Sequence, residues 1–214
     1  MSTATPNKTA GTTLFTAADC ASGSMYLGSE IDVSGKYSGT AFIRLGRTVT
    51  TALTNPVGFK LEGSSKASGA DWWVPIYVWT NSILAVTGII PASNLLNGAT
   101  SAGATSYVLD SATGQNAGDL VFFYESSKYE WARTKSTSTV TATPLDPLVF
   151  AHADNCVVLD QGEEFIINLP DLSDIKRLRL VVDTAAAGGS SAAAVGVTVA
   201  VEAFLNTFDS VTIA

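Results

Sequence analysis

AGDLVFFYESSKYEWARTKSTSTVTATP, residues 117–144, alternates apolar and polar positions and breaks at Ser126-Ser127 and again around Ser136-Thr137. Period two over segments this short marks strands, because successive side chains of a strand point to opposite faces of a sheet. The stretch therefore predicts three short strands in a row, a β-meander. Leu120, Phe122 and Tyr124 point one way, and Val121 and Phe123 the other. A strand apolar on both faces must be covered on both, so this unit is predicted to rest against a host domain or a neighbour.

The pattern continues on either side. "SYVLD" before the meander and "CVVLD" after it are further short strands at regular spacing with turn signals between them. Together these predict a small closed or nearly closed β-barrel over residues 100–158. "TGIIPASNLLNGATSAGAT" reads as an irregular bridge into it, with a helical turn at Ala92–Leu96.

The flanks differ in style. Leu27, Ile31 and Val33 share a parity, as do Ala41, Ile43 and Leu45, and Val57, Phe59 and Leu61 alternate with Gly58, Lys60 and Glu62. "DWWVPIYVWT" follows, with Pro75 marking an edge strand or a bulge because proline cannot donate to a ladder. Beyond residue 158 come "EEFIINLP", then "IKRLRLVVD" with Leu178, Leu180 and Val182 on one face, then "AVGVTVAVEAF" with Val195, Val197, Val199 and Val201 on one face. "TAAAGGSSAAA" between the last two reads as a mobile hairpin loop, with an Ala-rich helical turn as the competing reading. Neither flank has enough strands to cover its own faces, but together they supply roughly seven or eight, the number a sandwich needs. The predicted fold is all-β. A flexible N-terminal arm (1–14) precedes a jelly-roll or Greek-key-like β-sandwich built from 15–99 and 159–214, with the small barrel of 100–158 inserted between.

Composition narrows the function. Of 214 residues, 46% are hydrophobic and only 14% charged, yet Gly, Pro, Ser and Asn interrupt every apolar run before the roughly 20 residues a bilayer helix needs. Membrane insertion is not expected. A net charge of −7 argues against nucleic acid, whose phosphates require basic stripes. Lys176, Arg177 and Arg179, the nearest thing to a basic cluster, read as a solvated strand face. "MSTATPNKTAGTTLF" lacks the apolar core of a secretion signal, so synthesis in the cytoplasm is expected. Cys20 and Cys156, far apart and without a CxxC partner, read as two buried free thiols, with a disulfide between them as the alternative.

No catalytic constellation emerges. His152 in "PLVFAHADN" is the single histidine and has no GxSxG, HExxH or Cys/His/Asn context, so it reads as a hydrogen-bonding turn residue. One histidine and two separated cysteines do not make a zinc site at ordinary spacing. Asp171 and Asp174 in "PDLSD" lack the further carboxylates of a calcium loop and read as an Asx-turn. Glu163 and Glu164, adjacent on a strand, point to opposite faces and cannot flank one bond. "GSSKASGAD" lacks the ending of a phosphate loop. No catalytic residue, cofactor or metal is assigned. The aromatic group Trp72, Trp73, Tyr77 and Trp79 reads as core plus subunit interface, or alternatively as a platform for stacking sugar rings.

The Ser/Thr/Ala-rich start, "TAFIRLGRTVTT", "NPVGFKLEGSS" and the terminal "GVTVAVEAFLNTFDSVTIA" resemble structural proteins of tailed-bacteriophage virions, most closely head decoration (cement) proteins. The central segment, with its GD strand, EWAR strand, TVT strand and FAH turn, is similar to small barrel units that recur in such proteins. The resemblance implies a non-enzymatic role on the outer face of an assembled capsid. The partners would be the major capsid protein and further copies of the chain in a homotrimer. It carries over no site residue. The alternative is a carbohydrate-binding module or a fibre or tail-tip domain using the exposed aromatics.

Overall fold

The computed structural model describes residues 11–20, 24–47, 57–69, 72–81, 93–111, 115–125, 128–160, 162–184 and 199–209. In chain order the strands are β1 (Thr12–Cys20), β2 (Met25–Leu27), β3 (Ile31–Asp32), β4 (Lys36–Arg47), β5 (Val57–Ser64), β6 (Val74–Asn81), β7 (Ser93–Leu95), β8 (Tyr107–Val108), β9 (Leu120–Glu125), β10 (Lys128–Ser138), β11 (Thr141–Pro144), β12 (Val157–Leu159), β13 (Glu163–Leu169), β14 (Arg177–Asp183) and β15 (Val199–Asp209). No described residue is helical, and the fold is all-β.

Three antiparallel sheets result. One has the order β1-β15-β4-β13 and the second β2-β14-β5-β6, with β3 also paired to β14. Period-two patterning decides what these sheets bury. Ala41, Ile43 and Leu45 of β4, and Val201, Ala203 and Leu205 of β15, point to the same side as Phe59 and Leu61 of β5 and Leu178, Leu180 and Val182 of β14. Every buried member of this apolar cluster comes from residues 14–61 or 167–205. Gly28 ties the two sheets together: its N–H donates to Leu180 O at 2.8 Å, and a Cβ there would lie 2.4 Å from Leu14 O.

The third sheet, of order β7-β12-β9-β10-β11-β8, uses only strands from residues 93–159. It curls into a half-barrel whose two ends are bridged. Leu96 and Leu109 form an isolated bridge, Asp110 N–H donates to Leu95 O, and Asn97 N–H donates to Val108 O, both at 2.9 Å. Val121, Phe123, Ala132, Ala142, Val158 and Leu148 fill its concave side. On the convex side Leu120, Phe122, Trp131 and Leu159 form a separate cluster that also takes in Ala17 of β1. The partner of this outer face is the four-stranded sheet. Gly46 of β4 lies against the Phe122 ring so closely that a Cβ there would be 2.5 Å from Phe122 Cγ.

Two sequence expectations are corrected, and a third falls outside the described residues. The arm expected over 1–14 ends earlier, because β1 starts at Thr12 and Leu14 is fully buried in the flank core. Within the helical turn expected at Ala92–Leu96, Ser93–Leu95 instead form strand β7, since Asn94 and Leu95 pair with Val158 and Val157. The central sheet therefore takes in residues ahead of 100. The loop expected in "TAAAGGSSAAA" lies outside the described residues apart from Thr184.

Candidate functional site

The aromatic group begins before its strand. β6 starts at Val74, so Trp72 and Trp73 occupy the segment leading into it. Within β6 the register slips: Leu61 faces Tyr77 but Glu62 faces Pro75, which leaves Ile76 as the extra residue of a bulge. Pro75 thus sits beside a bulge on a strand that is last in its sheet among the described residues, where its missing N–H removes little.

The four rings have different fates. Trp79 turns inward, stacked on Phe59 at 5.0 Å and 17° and tilted against Phe165 at 6.5 Å. Tyr77 leans on Trp79 at 5.4 Å and stays 48% exposed. Trp73 lies on the opposite face, with the guanidinium groups of Arg179 and Arg177 at 4.1 and 4.8 Å from its ring. Trp72 is 66% exposed, carries Lys66 Nζ at 4.9 Å over its ring, and has φ 79°. A bulky residue in the left-handed region is an outlier that its surroundings must hold in place. Val74, Ile76 and Val78 are also exposed, so the segment from Trp72 to Val78 presents a row of apolar side chains along the last strand of its sheet among the described residues.

Of the basic face expected to be solvated, Lys176 is exposed but Arg177 and Arg179 are covered. Arg177 is 7% exposed; its Nε donates to Lys66 O at 2.9 Å, its Nη2 to Gly69 O at 2.7 Å, and its Nη1 to Glu30. Arg179 donates to Glu62 Oε2 from Nε and Nη2 at 2.9 and 2.7 Å. The two arginines therefore fasten Lys66, Gly69 and Trp73 to β14. They fix Trp73 in place, and with it the stem of the exposed Trp72.

A second cluster was not visible as a motif. The pairing of β9 with β10 sets Glu130 opposite Phe123, and β12 runs alongside β9 with Val157 opposite Tyr124. Glu125, Glu130 and Cys156 thereby fall on the same side of the sheet as Phe123, whose ring stacks on His152 at 4.8 Å. The His152 side chain is fully buried, with Nε2 at 2.9 Å from Glu130 Oε2, Nδ1 at 3.3 Å from Glu125 Oε2 and Nδ1 at 3.8 Å from Cys156 Sγ. Glu130 also accepts the N–H groups of Val149 and Phe150, and Glu125 accepts Ala153 N–H at 3.2 Å. Burial works against the Glu125 carboxylate, but Ala153 N–H, the Lys128 charge and His152 together hold it below the usual range. Burial, reinforced by the Glu125 and Glu130 charges, pushes the Cys156 thiol up to about 12.

Comparison with protein-family models, with curated proteins and with solved structures yields no match to this chain.

Chemically, burial disfavours the Cys156 thiolate as long as no cation lies beside it, so Cys156 and His152 are not arranged as an activated nucleophile and its base. The immediate work of the carboxylates and imidazole is to pin the 149–153 turn against the β9–β10 hairpin, a hydrogen-bonding role of the kind expected for His152. The carboxylates themselves were missed. The signal that finds them is the register: a hairpin broken at Ser126-Ser127 puts residue 130 across from 123. Elsewhere, Asp171 accepts Ser173 N–H and Oγ–H at 2.9 and 2.7 Å, an Asx-turn. Asp174 lines a shallow cleft with Trp72 and Ile76. Glu164 pairs with Arg44 at 3.3 Å. Cys20 and Cys156 are both free and buried, in different clusters.

Proposed function

We propose that the chain is a non-enzymatic structural protein of a tailed-phage virion. In this reading it is a head decoration protein that binds the outer capsid surface and bridges neighbouring capsomers, associating with copies of itself as a trimer. The observation that carries the reading is the exposed apolar row from Trp72 to Val78, along the last strand of its sheet among the described residues and held by Arg177 and Arg179. Such an edge favours pairing with another chain, because backbone groups supply affinity and alternate side chains supply selectivity. Modest contacts of this sort become strong when a lattice presents many of them at once. An acidic body with net charge −7 suits the outer surface better than contact with packaged DNA. In the same reading the flanks form a jelly-roll-like sandwich into which the central half-barrel is inserted. Insertion into a surface loop is tolerated because longer loops add little closure entropy. The virion is its place of action, after synthesis in the host cytoplasm.

The test is capsid stability. Undecorated capsids incubated with the purified protein should bind it and withstand higher temperature or stronger osmotic shock. Trp72→Ala should abolish the gain while leaving the protein folded. No binding and no stabilisation would remove the decoration role. A second reading, glycan binding, is favoured only by the open rings of Trp72 and Tyr77, since Trp73 and Trp79 are engaged within the protein. Glycan-array signal that vanishes in Trp72→Ala would promote it.

A further inference from the structure

We propose that Glu125, His152 and Cys156 form a binding site for one divalent transition-metal ion of the zinc class, with Glu130 holding the histidine from behind. Hydrogen-bond logic comes first. Glu130 Oε2, 2.9 Å from His152 Nε2, only accepts, so Nε2 carries a proton. Nδ1 then faces a second acceptor, Glu125 Oε2, at 3.3 Å. A proton or a cation can join Nδ1 to that oxygen, and the Cys156 sulfur also reaches Nδ1, at 3.8 Å. Nitrogen, carboxylate oxygen and sulfur brought to one point are the donor set that a borderline-soft cation takes.

The spacing agrees. A tetrahedral ion with nitrogen and oxygen at about 2.0–2.1 Å and sulfur at about 2.3 Å sets its ligand atoms about 3.3–3.8 Å apart. Here Nδ1 lies 3.3 Å from Glu125 Oε2 and 3.8 Å from Cys156 Sγ, and all three donor atoms fall within 4.8 Å of one another. Glu125 can shorten the widest gap, because its side chain is 24% exposed while that of His152 is fully enclosed. The same exposure gives an ion its way in and leaves a fourth position for water.

The surroundings fit too. Metal-bound histidines characteristically donate their other N–H to a carboxylate, which fixes the tautomer and raises basicity. Glu130 occupies that position and is itself fixed by Val149 and Phe150 N–H. Nitrogen, sulfur and one carboxylate suit zinc, whereas magnesium and calcium require oxygen alone. Lys128 Nζ, now 3.5 Å from Glu125, keeps its bond to Ala151 O at 3.0 Å if the carboxylate turns to the ion.

Cobalt(II) is the probe. The chelator-treated full chain should bind one Co²⁺, with visible absorption typical of tetrahedral geometry and a near-ultraviolet thiolate-to-cobalt band, and Zn²⁺ should displace it. Cys156→Ser should lose the thiolate band. Glu130→Gln should weaken binding by about 10- to 100-fold. Because Cys156 is buried, Glu125→Gln at the part-exposed rim serves as a second variant. It should stay folded by circular dichroism and bind at least several-fold more weakly. Absence of Co²⁺ and Zn²⁺ uptake at micromolar concentration would overturn the proposal. So would a Co²⁺ spectrum unchanged in folded Glu125→Gln.

Discussion

At the scale of single residues, three tryptophans of similar sequence context do three different things. Trp79 packs against the flank core beside Phe59, Trp73 carries the guanidinium groups of Arg177 and Arg179 over its ring, and Trp72 is exposed. Truncating them should separate these roles. Trp79→Ala should lower unfolding free energy by about 3 kcal/mol, as large-to-small changes against a packed core do. Trp72→Ala should change it by no more than about 0.5 kcal/mol, as for surface substitutions in general. Urea melts would measure both, and equal losses would mean that Trp72 is structural. That these aromatics mattered was legible in the sequence; their orientations were not. Parity assumes an unbroken strand, and the bulge at Ile76 shifts it, while Trp72 and Trp73 precede the strand altogether. Arg177 misled for a related reason. Its alternation with Leu178 is plain in the sequence, but what covers it, the backbone at Lys66 and Gly69, lies more than a hundred positions away.

At the scale of elements, strand β9 explains how two cores share one sheet. Its apolar character on both faces could be read directly, and the need for cover on both sides followed. Which element supplies that cover depended on long-range pairing. The answer is a glycine: Gly46 of β4 leaves the space that the Phe122 ring occupies, and Trp131, at 4.7 Å from Phe122, restricts its retreat. Gly46→Ala should therefore destabilise the protein by about 1–3 kcal/mol, the usual range for overpacking. Phe122→Leu in the same chain should restore part of that loss. A double-mutant cycle would show the coupling, and strict additivity would mean that the two residues do not press on each other. The hairpin joining β9 and β10 carries the other lesson. Its register was implicit in the Ser126-Ser127 break, and following it through would have placed Glu130 beside Phe123. The position of His152 above them depends instead on its bridge to Thr100, which no local pattern announces.

For the whole molecule, the ionisable groups of the central unit set a pH window for stability. Cys156 and Tyr107 ordinarily ionise near 9 and 10, and burial in the half-barrel pushes each up to about 12. Both states are protonated below pH 9, so nothing is lost there. As pH rises from 9 towards 12 the unfolded chain gives up these protons and the folded one does not, so stability falls. Glu125 acts in the opposite sense: held below its ordinary 4.5, it contributes fully above that value, and the contribution disappears as pH drops through the folded one. Thermal melts of chelator-treated protein should show a plateau with an acid and an alkaline shoulder. Tyr107→Phe should shrink the alkaline one, and a melt insensitive to pH between 9 and 12 would contradict the burial of both groups. Topology has a further consequence. In the four-stranded sheet β15 lies between β1 and β4, so strands from opposite ends of the described chain must meet before that layer exists. The half-barrel draws on residues 93–159 alone. On a translating ribosome it could therefore be finished while the surrounding layers wait for their last strand, leaving β1, β4 and β5 in need of shelter from premature association until β15 emerges.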